Sequence, residues 1–293
     1  YPVGARTAIQ LYQSGQCSRT EAERLLAFCN NCGPAFILGV VGTGLFGSGL
    51  VGLLLYLAHL LSSLIVGLLF RFYKPGQGPR RKDGSPAQFQ TASFPAAFTR
   101  SVTGALQSTL NICAFILFFT VAVRMLTLSG LLSAAAGLLS RLLFPLGLSQ
   151  EWAERLITGV LEVSTGVSSL TDGALSGRMS MAAFMLGWAG LSVHCQVLAF
   201  LGGSGLSLRT YLAGKLLHGV LSSLLVYGMA SLLPLEVSVS AYLARQTEAI
   251  AHLDFHQALT ISAAAAWAVW LAFLVLALYV VKKSSGKSAR HRL

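Results

Sequence analysis

The chain has 293 residues, of which 54% are hydrophobic and 11% are charged, and its formal net charge at pH 7 is +11. A soluble domain of this size carries about 25% charged residues, so the composition excludes an ordinary soluble enzyme and predicts an all-α polytopic membrane protein. The basic residues cluster beside hydrophobic stretches, which is typical of topology determinants, and we expect no nucleic-acid partner.

The first part of the chain predicts a helix that is broken inside the membrane. Residues 1–15 have a short helical pattern, and Ser18-x-x-Glu21 is a capping box that begins a second helix. This helix runs to Asn30–Pro34, where glycine and proline interrupt it before it resumes. Irregular backbone at membrane depth is tolerated only where it is buried in protein or lines a cavity. We therefore expect a discontinuous membrane helix, an element that forms transporter binding sites.

The next elements alternate between membrane crossings and polar interruptions. Ser48–Phe70 is uncharged and long enough to cross a bilayer alone. Leu131–Phe144 is shorter and contains Arg141, which favours an interfacial helix. Further predicted crossings are Ser101–Val123, Leu216–Leu235 and Leu259–Val281. The apolar stretch Met179–Leu208 is interrupted by five small or polar residues: Gly187, Gly190, Ser192, His194 and Gln196.

Residues 151–177 have an unusual pattern. Two half-length helical patterns flank the sequence Glu162-Val163-Ser164-Thr165-Gly166. The pattern predicts a re-entrant hairpin with a polar tip, because each half is too short to cross the bilayer alone.

A shift of 162 residues superimposes the two halves of the chain without gaps and gives nine identities between positions 4 and 55. The shift aligns the residues around Gly4 with the hairpin tip at Gly166, and Asn30–Pro34 with Ser192–Gln196. It also aligns the crossing Ser48–Phe70 with the crossing Leu216–Leu235. If the basic segments 73–95 and 282–293 are both cytoplasmic, the two related crossings are antiparallel. The sequence thus predicts an inverted-topology repeat, which in transporters places the site at the repeat interface near the midplane.

The predicted organisation follows from these elements. Because the chain opens without an initiator methionine, we expect helices upstream of Tyr1 and interpret the first repeat as N-terminally truncated. The predicted segments are a first repeat (1–72), a basic cytoplasmic loop (73–95), connecting transmembrane and interfacial helices (96–148), a second repeat (149–235), an external loop (236–258), a last transmembrane helix (259–281) and a basic cytoplasmic tail (282–293).

Glu162 is the first candidate for function, since intramembrane acids are costly and by default functional. It could be a coupling-ion ligand, a proton carrier or a substrate acceptor, or an acid paired with a buried partner. Asn30 and Asn31, beside the backbone freed at Gly33, suit a polar ligand or satisfy that backbone themselves. Both interpretations stay open for each residue.

Other polar residues of the second repeat complete the predicted site. His194 falls opposite Cys32 in the repeat and is a candidate ligand contact or proton relay. Ser164 and Thr165 add hydroxyl groups beside Glu162, and Asp172 is a candidate for ion coupling or for a wetted hairpin mouth. A hydrolase could be assembled from Ser164, His194 and Asp172, but the spacing is not diagnostic and the chain has no nucleophile elbow.

The sequence predicts no enzyme activity, metal or cofactor. Five cysteines give no disulfide framework. Cys29-x-x-Cys32 has no second pair beside it, so we interpret both as small apolar residues. A zinc site would need a matching Cys/His cluster, and an ATPase a phosphate-binding loop. The expected partners are the lipid bilayer and a small polar solute, with a proton or sodium as coupling ion; a homo-oligomer is left open.

Two sequence blocks resemble the YlbJ type of sporulation integral membrane protein. They are Tyr1–Arg6 with Glu21–Pro34, and Gly159–Gly166. The resemblance covers essentially the whole chain. It implies a gate, or nucleoside-recognition, domain similar to repeats of concentrative nucleoside transporters and of ferrous-iron transporters.

The resemblance also implies a multi-pass cell-membrane protein of an endospore-forming bacterium, with a cytoplasmic C-terminus, that is needed for spore formation and cortex development. We expect it to be transporter-like, with Glu162 and the Asn30–Asn31 break facing each other across a central site. A nucleoside-like solute is an analogy at the level of the fold. The alternative is a non-transporting membrane scaffold for spore cortex or envelope assembly.

Overall fold

The computed structural model describes residues 2–74 and 93–232, and helical positions scattered between 260 and 275. The chain divides into two compact units, Tyr1–Val237 and Ser238–Leu293. In the second unit the described positions are helical, and Trp267 and Trp270 pack edge to face. The predicted external loop, tail and most of the basic loop and last crossing lie outside the described residues.

The described elements of the first unit are all helices. Its elements are α1 (Val3–Gln13), α2 (Arg19–Cys29), a π-helix (Ala35–Leu45), α3 (Gly49–Phe70), α4 (Phe94–Leu128), α5 (Leu131–Leu142), a 3-10 turn (Phe144–Leu146), α6 (Gln150–Leu161), α7 (Val163–Ser168), α8 (Leu175–Trp188), α9 (Gly190–Leu201) and α10 (Leu208–Leu232).

Four described segments are long and apolar enough to cross a membrane. They are α3, α4, the combined segment Leu175–Leu201, and α10. The prediction of an all-α polytopic membrane protein is confirmed. The crossing predicted at Ser101–Val123 is part of a longer helix, because α4 has 35 residues. The crossing predicted from Leu216 begins eight residues earlier in the sequence, at Leu208.

The capping box and the first helix break are confirmed. The Ser18 hydroxyl accepts from the Glu21 amide, and the Glu21 carboxylate accepts from the Ser18 amide. Helix α2 ends at Cys29, and the chain resumes as a π-helix at Ala35. The wider turns of a π-helix often mark functional sites.

The second break lies at Gly190, one of the predicted interruptions, and not at the position that the repeat predicts. The apolar stretch is interrupted at Ala189 and Gly190, which both have left-handed backbone conformations with φ of 81° and 82°. Ser192–Gln196, predicted as the break, lies inside α9. The break is therefore a tight left-handed turn between α8 and α9, and the polar residues project from a regular helix.

The predicted hairpin is sharper than the sequence indicates. Between α6 and α7 only Glu162 is non-helical, with φ −144° and ψ 117°, and it caps the end of α6 and the beginning of α7. Ser164, Thr165 and Gly166 are therefore not part of an open tip but lie in α7. A Cβ on Gly166 would overlap the backbone of Gly159, so the two short helices pack backbone to backbone on either side of Glu162.

Two apolar cores connect the two predicted repeats. One core joins the π-helix and α3 to α7 and α8, through side chains such as Ile37, Leu55, Val167 and Met185. The other joins α1 and α2 to α9 and α10, through Ile9, Leu26, Val193 and Tyr211. Each core therefore contains side chains from both halves of the chain. Cys32 of the first break belongs to one core and Ala189 of the second break to the other.

Candidate functional site

A cavity of about 320 Å³ lies where the first break, the Glu162 junction and α9 meet. Its apolar wall includes Phe36 of the π-helix and Ile112 and Ile116 of α4. The polar residues and backbone that line it are Cys32, Gly33, Glu162, Ser164, Ser192 and Gln196. The structure therefore brings together the two regions that the sequence predicts to face each other.

Glu162 is fully buried at this cavity, and its carboxylate is a helix cap. One carboxylate oxygen accepts from the Ser164 amide at 3.1 Å. The other accepts from the Thr165 amide at 2.6 Å and from the Thr165 hydroxyl at 2.9 Å. Its negative charge also lies at the positive end of α7. The carboxylate is therefore bound in place by its own helix.

The side chains of Ser192 and Gln196 have unsatisfied polar atoms at the cavity. Ser192 is fully buried and Gln196 is 2% exposed. Among the described residues, neither the Ser192 hydroxyl nor either polar atom of the Gln196 side-chain amide has a hydrogen-bond partner. Since a buried polar group without a partner costs about 1–3 kcal/mol, these groups are suited to bind water or a polar ligand.

Asn30 and Asn31 do not line the cavity. The Asn30 amide donates to the Tyr211 hydroxyl at 3.4 Å, and the Asn31 amide donates to the Ser63 hydroxyl at 2.8 Å. Ser63 in turn donates to the carbonyl of Phe28. The two amides thus attach the end of α2 to α10 and to α3, while Gly33 reaches the cavity itself.

A buried basic cluster lies behind the first break. Lys215, His218 and His59 are all fully buried. The Lys215 ammonium donates to the carbonyl of Asn30 at 3.0 Å and contacts the His218 Nδ1 at 3.4 Å. The His218 Nε2 donates to the carbonyl of His59 at 2.9 Å, and the His59 Nε2 accepts from the amide of Cys32 at 3.2 Å.

Sequence reasoning missed this cluster, although a signal was present. Lys215 and His218 are three residues apart, which places them on one face of a helix. The predicted crossing started at Leu216, so hydropathy placed Lys215 outside it. His59 lies within an otherwise uncharged crossing and was not singled out.

His194 belongs to the same polar network and not to the cavity wall. Its Nδ1 lies 3.0 Å from the Tyr211 hydroxyl, and its ring packs edge-on against Trp188 with ring centroids 4.4 Å apart. The His194 Nε2 has no hydrogen-bond partner among the described residues. Through Tyr211 and Asn30, His194 connects α9 to the first break.

The remaining predicted site residues lie apart from one another. The amide and the hydroxyl of Thr165 donate to Glu162, and the Thr165 hydroxyl lies 3.4 Å from the Thr120 hydroxyl of α4. Asp172 is exposed and forms an ion pair with Arg155, whose guanidinium lowers the pKa of the Asp172 carboxyl. Because Asp172 binds Arg155 and His194 binds Tyr211, these hydrogen bonds do not connect Ser164, His194 and Asp172 as a catalytic triad.

The chain is similar to one curated protein, the sporulation integral membrane protein YlbJ of Bacillus subtilis (strain 168). The two are 32% identical over 243 residues, which cover 77% of this chain and 60% of the relative. The chain belongs to the YlbJ family of sporulation integral membrane proteins. No family model and no solved structure matches it.

The comparison confirms the family that the sequence resemblance indicates, and membership agrees with the membrane-spanning helices. The alignment spans less than two thirds of the relative's length. Within the described part of this family member, no group of three or more His, Cys, Asp or Glu residues could hold a metal ion. The chemistry of its centre is that of hydrogen bonding and charge: an amide, two hydroxyls, a capped carboxylate and a buried basic cluster.

Proposed function

We propose that this YlbJ-family protein acts during spore formation as a transporter of a small polar solute across the cell membrane. The observation that carries the proposal is the cavity between the helix breaks, where Ser192 and Gln196 present buried polar atoms with no partner among the described residues. Discontinuous membrane helices form solute sites in transporters in the same way.

The cavity limits the kind of solute. Its volume of about 320 Å³ is at the small end of the usual range for ligand pockets, roughly 300–1,000 Å³. Ile112, Ile116 and Phe36 offer apolar contact, while Ser192 and Gln196 offer hydrogen bonds. This combination suits a small, partly apolar solute with polar groups on one edge. A nucleoside-like molecule is the analogy that the family resemblance supplies.

Movement of one repeat against the other would expose the cavity to each side in turn. In the sequence-based hypothesis a proton or sodium ion binds at Glu162 or Asp172 and is coupled to this movement. The capping hydrogen bonds of Glu162 favour a fixed carboxylate, and Asp172 lies in an exposed ion pair. No residue is assigned a catalytic role, and the C-terminus is proposed to be cytoplasmic.

A non-transporting scaffold for cortex or envelope assembly is the second candidate, and one observation favours it. Helix α4 has 35 residues but only Val123 is buried within the described structure. An apolar helix this exposed contacts lipid or another membrane protein, which would be a scaffold's interface.

Uptake into proteoliposomes separates the two candidates. A panel of small solutes that includes nucleosides, neutral amides and phosphorylated analogues would be tested with the full-length protein. For at least one of them, transport predicts uptake that Gln196→Leu lowers at least about tenfold. The matched control Gln13→Leu, at an exposed position of α1, should retain it. No uptake of any solute, with normal sporulation of a Gln196→Leu strain, would contradict transport.

A further inference from the structure

Two titratable side chains form hydrogen bonds with backbone groups inside the first break. Lys215 of α10 binds the carbonyl of Asn30, and His59 of α3 binds the amide of Cys32. Gly and Pro leave these backbone groups without helical partners. Hydrogen bonds to two titratable side chains therefore replace the backbone hydrogen bonds that a continuous helix would have made.

The donor and acceptor roles at His59 follow from its partner. A backbone amide can only donate, so the His59 Nε2 must hold a lone pair when it binds Cys32. The proton of the neutral ring is then on Nδ1, which has no hydrogen-bond partner among the described residues. The same argument assigns a proton to the His218 Nε2, because it binds a carbonyl, and leaves its Nδ1 to accept from Lys215.

We propose that His59 is the binding site of a coupling proton. A proton from water would take the Nε2 lone pair and form an imidazolium, and the same lone pair could no longer accept from Cys32. Proton binding and the Cys32–His59 hydrogen bond are mutually exclusive, so protonation releases the break. This inference rests on the proposed transport function, for which it names the co-transported ion.

The position of the bond connects this proton to the cavity. Cys32 and the adjacent Gly33 both line the cavity, so release of the Cys32 amide changes the cavity wall directly. A proton that binds the released form more tightly shifts the population toward it. By reciprocity, a solute that stabilises one arrangement of the break changes the affinity for the proton by the same factor.

The titratable groups nearest to His59 are on α10. Lys215 and His218 of α10 face it, with the His218 ring centroid 4.4 Å away. The thiols of Cys29 and Cys32 lie on the break, and His194 of α9 reaches it only through Tyr211 and Asn30. A positive charge on His59 is repelled by the Lys215 ammonium, which adds to the loss of the Cys32 bond and separates α3 from α10.

Hydrogen exchange at the break tests this proposal without knowledge of the solute. The full-length protein in lipid nanodiscs would be followed by mass spectrometry of the peptide that contains Asn31–Ala35. The pH would run from about 8 to about 4, below the range of an exposed histidine, because burial and the facing Lys215 oppose a charge on His59. His59→Gln is the matched variant, because its amide oxygen can accept from Cys32 but does not titrate. The ratio of wild-type to variant exchange at each pH removes the chemical pH dependence of exchange.

The expected result is a ratio that rises about tenfold or more as the pH falls through the titration of one group. Glu151→Gln, which alters an exposed side chain of α6 that does not contact the break, should keep the wild-type profile. If His59→Gln does not fold, an unstructured synthetic peptide of the same sequence supplies the reference rates. A ratio that stays constant with pH overturns the proposal.

Hydrogen exchange and solute uptake together distinguish failure of the proton site from failure of the transport proposal. A pH-dependent break in a protein that moves no solute would leave the proton site intact and contradict the transporter. Solute uptake that is independent of pH, with constant exchange at the break, would keep the transporter and remove the proton site.

Discussion

The two helix breaks beside the cavity are constructed in different ways. The first, Asn30–Pro34, is held by side chains of other helices, chiefly Lys215 and His59. The second, at Ala189 and Gly190, is a left-handed turn whose Ala189 amide already binds the carbonyl of Met185 at 2.8 Å. One break depends on groups that can gain or lose protons, and the other on backbone geometry.

This difference indicates which break can move. A Cβ on Gly190 would lie 3.0 Å from the amide nitrogen of Val163, so the second break packs directly on the Glu162 junction. The two form one rigid wall of the cavity, because close-packed backbone has no alternative arrangement nearby. The first break has hydrogen bonds that can be exchanged for others, and we expect it to be the moving wall.

The largest expected loss of stability comes from a variant that crowds the second break. Gly190→Ala should lower the free energy of unfolding by about 2–5 kcal/mol, because it combines a left-handed alanine with crowding against Val163. Gly203→Ala is the matched control. Gly203 also has a positive φ but has open space around its Cα, so only about 1–2 kcal/mol should be lost. Denaturant unfolding in micelles measures both, and equal losses would show that the second break is not tightly packed.

A smaller effect should follow from removal of the Glu162 cap. Glu162→Ala leaves the half-buried amides of Ser164 and Thr165 without acceptors and should cost about 2–3 kcal/mol. The matched variant Ser149→Ala removes the exposed cap of α6 and should cost about 1 kcal/mol. The same unfolding experiment applies. If the two variants lose the same stability, water reaches the Glu162 junction and replaces the lost acceptors.

The smallest expected effect concerns the ion pair of Asp172 and Arg155 in the hairpin 151–177. Arg155 lowers the pKa of Asp172 below the usual value of 3.8. The carboxylate therefore stabilises the fold at pH above that value, and the contribution is lost as the pH falls through the lowered pKa. Asp172→Asn should be less stable than wild type at neutral pH and equal to it in strong acid. Thr171→Ala, at an exposed neighbour that does not titrate, is the control, and thermal unfolding across the acid range should show no convergence for it.

Local chemistry in the sequence predicted the first half of the fold well. The Ser18–Glu21 capping box, the Gly-Pro interruption and the long apolar α3 each depend on neighbouring residues alone. The second break was marked locally by Gly190, but its left-handed alanine, Ala189, has no signal of its own. The repeat transferred the position of the first break to Ser192–Gln196, which begins two residues after Gly190.

The site was predicted in part, for a related reason. Glu162 and Gly33 do line one cavity, but whether a polar side chain faces it depends on helix rotation, which the sequence leaves open. Ser192 and Gln196 were assigned to the second break and not to the site. Lys215 was assigned to the end of a crossing because hydropathy excludes charged residues, although α10 buries it completely against Asn30 and His218.

The most direct test of the account is the exposure of one cavity residue to each side of the membrane. Ser164→Cys would be introduced into a variant without the five native cysteines and labelled in sealed vesicles with an impermeant thiol reagent. A transporter with a central site predicts labelling from both faces, since the cavity opens to each in turn. Labelling from one face only, or from neither, in a folded protein would contradict alternating access and favour the scaffold.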